Sequence, residues 1–142
     1  MTIAQQISDA LVATLSSPVL VGLGAGGVTA DPDYHYEARD LPAVAVYLGD
    51  ETRLNQFISA SVIDRLLTIT VRIISQGSDA YRTGNEVLVQ AYNQIMSDLT
   101  LGGLVMNIEE AGIKRSRELL EMPVVVTDLD LSVKYRTAYN SL

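Results

Sequence analysis

The stretch from Val124 to Thr137 constrains the fold more than any other part of the chain, because apolar and polar positions alternate along it. One set of alternate positions is mainly apolar: Val125, Thr127, Leu129, Leu131, Val133 and Tyr135. The other set is mainly polar: Val126, Asp128, Asp130, Ser132, Lys134 and Arg136. A period of two predicts a β-strand with one buried face. The 14 residues would span about 46 Å when extended, whereas a compact domain of this length is roughly 37 Å across. The strand is therefore expected to bend, to break or to project.

Two other segments have the spacing of amphipathic helices. The first opens with the capping box Thr2-Ile3-Ala4-Gln5 and keeps an apolar face to Leu15. The second is expected to be capped by Ser78 and to run to about Leu99. Gly84 lies in its first turns and is expected to weaken them by about 1 kcal/mol.

Apolar or alternating segments predict the remaining strands at Leu41–Leu48, Arg65–Ser75 and Leu104–Glu109. A Gly-rich loop from Val19 to Asp33 opens with a candidate short strand at Val19–Val21. This order of elements predicts an α+β fold: a mixed, mainly antiparallel sheet with two principal helices packed on one face.

The chain length of 142 residues fits a single domain, 1–142. Within it, the segment Gly49–Ile63 contains the apolar Phe57 and Ile58 after a run of polar side chains: Asp50, Glu51, Arg53, Asn55 and Gln56. We expect this segment to be a mobile loop or a long hairpin.

The composition of the chain excludes or disfavours several kinds of site and partner. The absence of cysteine excludes disulfides, thiolate metal sites and cysteine nucleophiles. A net charge of −7 argues against wrapping DNA, which requires clustered Lys and Arg. Met1–Ser17 lacks the basic start of a signal peptide, and the apolar run Pro18–Leu23 is too short to cross a bilayer. The sequence thus predicts a protein made in the cytoplasm, without a membrane partner.

The run Gly22-Leu23-Gly24-Ala25-Gly26-Gly27 matches the glycine spacing of a dinucleotide-binding motif. That motif must lead into a helix whose N-terminus faces the pyrophosphate, and Pro32 prevents a useful helix here. A flexible glycine loop is the favoured interpretation, and no cofactor is predicted.

His35, between Tyr34 and Tyr36, is the single histidine and the candidate general base of a hydrolytic triad. No G-x-S-x-G elbow accompanies it. A packing or surface role is therefore favoured, and the protein is predicted not to be an enzyme.

Charged residues suggest a surface for association. Asp128 and Asp130 share one strand face, but two carboxylates are too few for a usual calcium or magnesium site. Lys114, Arg115 and Arg117 form the densest basic patch, in a predicted loop. We expect the basic loop and the Asp128/Asp130 face to meet across a head-to-tail subunit interface, against the alternative that the loop is simply solvated.

Four of these features together resemble the tail terminator (tail completion) proteins of long-tailed bacteriophages. They are the N-terminal amphipathic helix ending near Leu15, the 41–46 strand with its acidic turn at Asp50-Glu51, the Arg65–Ser75 strand leading directly into the Tyr81–Leu99 helix, and the closing strand that ends Val133-Lys134-Tyr135-Arg136. The likeness lies in the order of the elements and in their general residue pattern, and it covers most of the chain. The Gly22–Gly27 loop is not a feature of the family.

The resemblance implies a virion protein of the tail or neck, assembled in the host cytoplasm. Such proteins form a ring, usually a homohexamer, that caps the tail tube and offers a surface for docking the head. The implied partners are further copies of the chain, the tail-tube protein and a head-completion or connector protein. DNA would pass through a lumen whose carboxylates do not bind it.

Two alternatives remain open. The chain could be another neck or tail-tube component, such as a head-closure or tube subunit. It could also be a small nucleotide-binding enzyme that uses Gly22–Gly27 and His35.

Overall fold

A computed structural model of the protein describes residues 1–31, 36–54, 62–119, 122–138 and 142. In these residues the chain forms two α-helices and five strands. Their order is α1 (Ile3–Ser16), β1 (Val28–Ala30), β2 (Ala43–Arg53), β3 (Val62–Gln76), α2 (Ala80–Met96), β4 (Asn107–Leu119) and β5 (Pro123–Ala138), with a 3-10 turn at Ala38–Asp40 before β2. The predicted α+β class is confirmed.

The five strands form one sheet in the order β1-β2-β3-β5-β4. β1 runs parallel to β2, and every other neighbouring pair is antiparallel. The sheet is therefore mixed and mainly antiparallel, as predicted.

The long C-terminal strand neither breaks nor loses its partners. β5 has 16 residues, and it pairs with the 15-residue β3 from Gln76↔Val124 to Val62↔Ala138. The sequence did not reveal that a second strand of nearly the same length would run beside it. Because the backbone of each strand bonds to the other, the length is accommodated without a break.

Both helices pack on the same face of the sheet. The alternating apolar residues of β5, including Leu129, Leu131 and Val133, are fully buried in one cluster with Ile7 and Leu11 of α1 and with residues of α2. This cluster is the core, and no helix of the described residues lies over the opposite face of the sheet.

The start of α1 has the predicted capping box. The Thr2 hydroxyl accepts a hydrogen bond from the Gln5 amide at 3.2 Å, and the Thr2 amide donates to Gln5 Oε1 at 2.9 Å. Two otherwise unpaired backbone donors are satisfied in this way.

The bounds of α2 differ from the prediction at both ends. Asp79, and not Ser78, occupies the N-cap, and the helix ends at Met96. Beyond it, the Asp98 carboxylate accepts hydrogen bonds from the amides of Thr100 and Gly102 at 3.2 and 2.9 Å. These bonds hold a turn where helix was expected, and they lower the pKa of Asp98.

Two strand predictions are wrong in their placement. Val19–Val21 is not a strand, because the side-chain amide of Gln90 in α2 bonds to both the N–H and the C=O of Val21, at 2.8 and 3.0 Å. The strand expected at Leu104–Glu109 instead begins at Asn107 and continues to Leu119.

The predicted basic loop is therefore also wrong. Lys114, Arg115 and Arg117 lie within β4, which pairs with β5 throughout this region. The segment has the composition of a loop because three of its four residues are charged. It forms a strand nevertheless, because charged side chains are tolerated on a strand at the edge of a sheet.

The segment Gly49–Ile63 is strand at both of its ends. Gly49–Arg53 continue β2. Glu51, Thr52 and Arg53 pair with β3 after an irregularity in the register between Leu48 and Glu51. The predicted loop or hairpin otherwise falls largely on residues 55–61, which lie outside the described residues. Among the helices of the described residues, none has the length and apolar character needed to span a membrane.

Candidate interaction surface on the open face and edges of the sheet

The open face of the sheet carries polar side chains that face one another across neighbouring strands. Arg72 of β3 lies directly opposite Asp128 of β5, and Asp128 in turn lies opposite Lys114 of β4. One pleat further along, Thr70 lies opposite Asp130. Directly opposed residues on one face of a sheet are close enough for their side chains to interact.

Arg72 and Asp128 form the best-defined pair on this face. Arg72 Nε and Nη2 donate to the two carboxylate oxygens of Asp128 at 2.8 and 3.0 Å. The Arg72 guanidinium also lies 5.3 Å from the ring centroid of Tyr47 on β2. The hydrogen bond to Asp128 raises the pKa of Arg72 further above its usual value. Three strands are thereby connected through side chains as well as through backbone bonds.

Asp130 has two partners on the same face. Its Oδ1 accepts a hydrogen bond from the Thr70 hydroxyl at 2.8 Å, and its Oδ2 lies 3.5 Å from Lys114 Nζ. The Lys114 side chain is 80% exposed, so this ion pair is weak and screened by solvent. Both predicted interface carboxylates, Asp128 and Asp130, thus have cationic partners within their own chain.

A second bidentate pair lies at the far end of the β3–β5 ladder. Arg136 donates to both oxygens of Asp64, at 2.7 and 3.2 Å. The hydrogen bond from Arg136 and its positive charge lower the pKa of Asp64. This pair is not evident from the sequence, because residues 72 positions apart become neighbours only through the register of the two strands.

The three predicted basic residues do not share one face, because side chains of a strand alternate between faces. Lys114 points to the open face, whereas Arg115 and Arg117 point to the helix side. Arg115 donates to Asn85 Oδ1 of α2 at 3.0 and 3.3 Å, and the Arg117 guanidinium lies 5.6 Å from the ring centroid of Tyr81. The predicted basic patch is thus a basic sheet edge with cations on both sides.

The Gly22–Gly27 segment packs against the chain just before β2. The amides of Gly24, Ala25 and Gly26 donate to the carbonyl oxygens of Pro42, Arg39 and Asp40, at 2.7, 3.0 and 3.1 Å. The segment then leads into β1, and not into a helix. These amides are therefore used by the chain itself, and the geometry of a dinucleotide-binding motif is not formed here. His35, the other candidate of the enzyme hypothesis, lies outside the described residues.

Grooves on the surface lie near both helices. An open groove of about 710 Å³ follows α2 and is lined by Arg82, Asn85, Glu86, Val89 and Gln90. A smaller one of about 300 Å³ lies between α1 and the β1–β2 edge, and its lining includes Asp9, Asp31 and Leu48. Within the described part of the chain, no group of three or more His, Asp or Glu side chains is placed to hold a metal ion.

Comparison with models of known protein families gives no match, and comparison with curated proteins gives no significant match.

Proposed function

We propose that this chain is a structural protein of a bacteriophage particle, a tail terminator that forms a closed hexameric ring on the end of the tail tube. The ring would stop growth of the tube and present the surface on which the head docks. Its partners would be further copies of the chain, the tail-tube protein and a head-completion or connector protein. It would reside in the virion tail or neck after assembly in the host cytoplasm.

The order of elements carries the proposal. The capped α1, the β2 strand with Asp50 and Glu51, the β3 strand followed at once by α2, and the closing β5 strand succeed one another as in the family that the sequence resembles. The strands among them belong to one sheet, and the two helices pack with it around a single core. A rigid body of this kind suits a protein that works by the shape and charge of its surfaces.

The charge of the protein supports the same function. The net charge is −7, and a ring lumen lined with carboxylates repels the phosphates of DNA instead of binding them. DNA would then slide through the ring without specific contacts.

The native mass of the purified protein, measured by light scattering over a wide concentration range, tests the proposal. We expect a discrete closed oligomer near six copies. Growth without a limit would favour the alternative of a tube subunit, which polymerises instead of stopping at one ring.

Removal of the coding sequence from its parent genome gives a second test that does not depend on assembly in solution. We expect heads without attached tails and tubes of uncontrolled length in electron micrographs. Intact particles with tails of normal length would contradict the proposed function.

A further inference from the structure

The sheet has two edges that are open to pairing. β4 forms one edge, and β2 forms the opposite edge beyond Val46, because β1 pairs only with Val44–Val46. Within the described residues, no strand pairs with the outer side of β4 or with that of β2 after Val46. Unpaired backbone N–H and C=O groups at such edges are a template for another strand.

Each edge carries a local cluster of charged side chains, and the two clusters have opposite signs. Lys114, Arg115 and Arg117 lie in the second half of β4 and are named the basic edge here. Asp50 and Glu51 lie in the open part of β2 and are named the acidic edge. Arg53 ends the same strand and is the other charged residue of its open part. The other charged side chains of β4 are acidic and lie outside this run: Glu109, Glu110 and Glu118.

The guanidinium groups of the basic edge are held in place but not neutralised. Arg115 contacts the neutral amide of Asn85, and Arg117 contacts the ring of Tyr81. In the part of the chain that the structure describes, neither arginine forms an ion pair, and neither do Asp50 and Glu51. Each edge therefore presents charge that is available to a partner.

Charged side chains on an edge strand can also serve to prevent unwanted pairing. That protection works when both edges carry charge of one sign, since copies of the chain then repel one another. Opposite signs on opposite edges attract instead, and they favour head-to-tail contact between identical copies. Each edge also exposes an aliphatic side chain, Leu48 near the acidic edge and Ile113 near the basic edge, each 37% exposed.

We propose that the basic edge of one copy docks on the acidic edge of the next, so that the sheet continues from subunit to subunit. This inference rests on the proposed ring and replaces Asp128 and Asp130 by Asp50 and Glu51 as the acidic partners. The pairs β2–β3, β3–β5 and β5–β4 are all antiparallel, so β4 runs antiparallel to β2. When the ring axis is parallel to the strands, rotation from one copy to the next preserves the strand directions. The junction between β4 of one copy and β2 of the next is then antiparallel, with Lys114 and Arg115 near Glu51 and Asp50.

Charge reversal on each edge tests the contact. One variant carries Arg115→Glu and Arg117→Glu, a second carries Asp50→Lys and Glu51→Lys, and a third carries all four changes. We expect each double variant to raise the apparent dissociation constant for self-association at least about tenfold, because like charges meet at the junction. The quadruple variant should assemble again, since the signs are exchanged at every junction. An equimolar mixture of the two double variants should form rings in which they alternate.

Net charge provides an internal control. The Asp50/Glu51 reversal changes the net charge from −7 to −3, and the quadruple variant keeps −7. If only the overall repulsion between copies mattered, the less charged Asp50/Glu51 variant would associate more strongly than the wild type. Arg39→Glu with Lys134→Glu matches the charge change of the Arg115/Arg117 reversal at positions away from both edges, and it should leave assembly unchanged. Thermal unfolding establishes that each variant is folded.

Several results would overturn the inference. They are a folded quadruple variant that does not assemble, an Asp50/Glu51 variant that associates as well as the wild type, and a wild-type chain that stays monomeric at every concentration. Binding of the wild-type protein to duplex DNA, if it is lost in an Arg115/Arg117 variant that still assembles, would likewise assign the basic edge to nucleic acid. The deletion described above tests the proposed function separately from the charge-reversal variants, because it does not depend on which edges meet in the ring.

Discussion

Arg72 and Asp128 face each other across β3 and β5 and are joined by two hydrogen bonds of 2.8 and 3.0 Å. Their side chains are 40% and 19% exposed, respectively. The pair is therefore partly shielded from water and has the bidentate geometry that makes an arginine–carboxylate contact specific. It connects β3 and β5 in the middle of the sheet, on the face opposite to the one that α1 and α2 cover.

Replacement of Asp128 by Ala should lower the free energy of unfolding by about 1–2 kcal/mol, because Arg72 keeps its charge but loses both acceptors. Urea unfolding measures the change. Lys114→Ala is the control: its ion pair with Asp130 is long and exposed, so the loss should stay below about 1 kcal/mol. Equal effects of the two substitutions would show that the bidentate geometry adds nothing to the free energy of unfolding.

The Asp64–Arg136 pair predicts a dependence of stability on pH. The pKa of Asp64 is lowered by the hydrogen bond from Arg136, so the folded state favours the ionised carboxylate more than the unfolded state does. Its contribution is therefore fully present above the unfolded value of about 4, and it is lost as the pH falls through the lower folded value. We expect Asp64→Asn to be less stable than the wild type at neutral pH, with the difference shrinking below about pH 4. Urea midpoints of both proteins from pH 7 to pH 3 measure this, and a constant difference would contradict it.

Gly84 offers a test in which helix propensity and packing oppose each other. An alanine is favoured over glycine by about 1 kcal/mol inside a helix. Its Cβ would, however, lie 3.0 Å from Ser75 Oγ, and that hydroxyl is buried and donates to the Ala80 carbonyl at 2.7 Å. We expect Gly84→Ala to destabilise the protein by about 1 kcal/mol or more in spite of the propensity.

A double-mutant cycle with Ser75→Ala separates the two effects. If the contact with Ser75 Oγ is responsible, Gly84→Ala should cost clearly less in the Ser75→Ala background than in the wild type. The same cost in both backgrounds would assign the effect to another neighbour.

Gly24 should tolerate no side chain, for a reason unrelated to ligand binding. A Cβ there would lie 2.6 Å from the carbonyl carbon of Asp40 and 2.6 Å from the carbonyl oxygen of Leu41. We expect Gly24→Ala to lower the free energy of unfolding by about 2 kcal/mol or more, since backbone would have to move. Gly112→Ala, where a Cβ would have no neighbour within 4 Å, should change it by less than about 0.5 kcal/mol. Thermal or urea unfolding distinguishes these outcomes, and equal effects would contradict the packing explanation.

The amino-acid sequence by itself determined those elements whose signals are local. The capping box at Thr2–Gln5 places the start of α1, and the alternation along 124–137 gives β5 its strand and its buried face. Both signals depend only on residues a few positions apart, because hydrogen bonds within a helix and the pleat of a strand are local. The α+β class and the helix-covered face followed from these elements.

The tertiary structure decided what depends on register and on contact over long distances in sequence. Lys114, Arg115 and Arg117 have the composition of a loop, and they form a strand because β5 offers β4 a backbone to pair with. From the sequence, Gly84 is expected to weaken a helix. In the structure, it lies where α2 approaches Ser75 closely. Asp128 and Asp130 obtain partners only when β3, β5 and β4 align. The basic edge and the acidic edge lie on opposite sides of one sheet only because the strand order is β1-β2-β3-β5-β4. Register and strand order arise from the packing of the whole core, so no short stretch of sequence contains them.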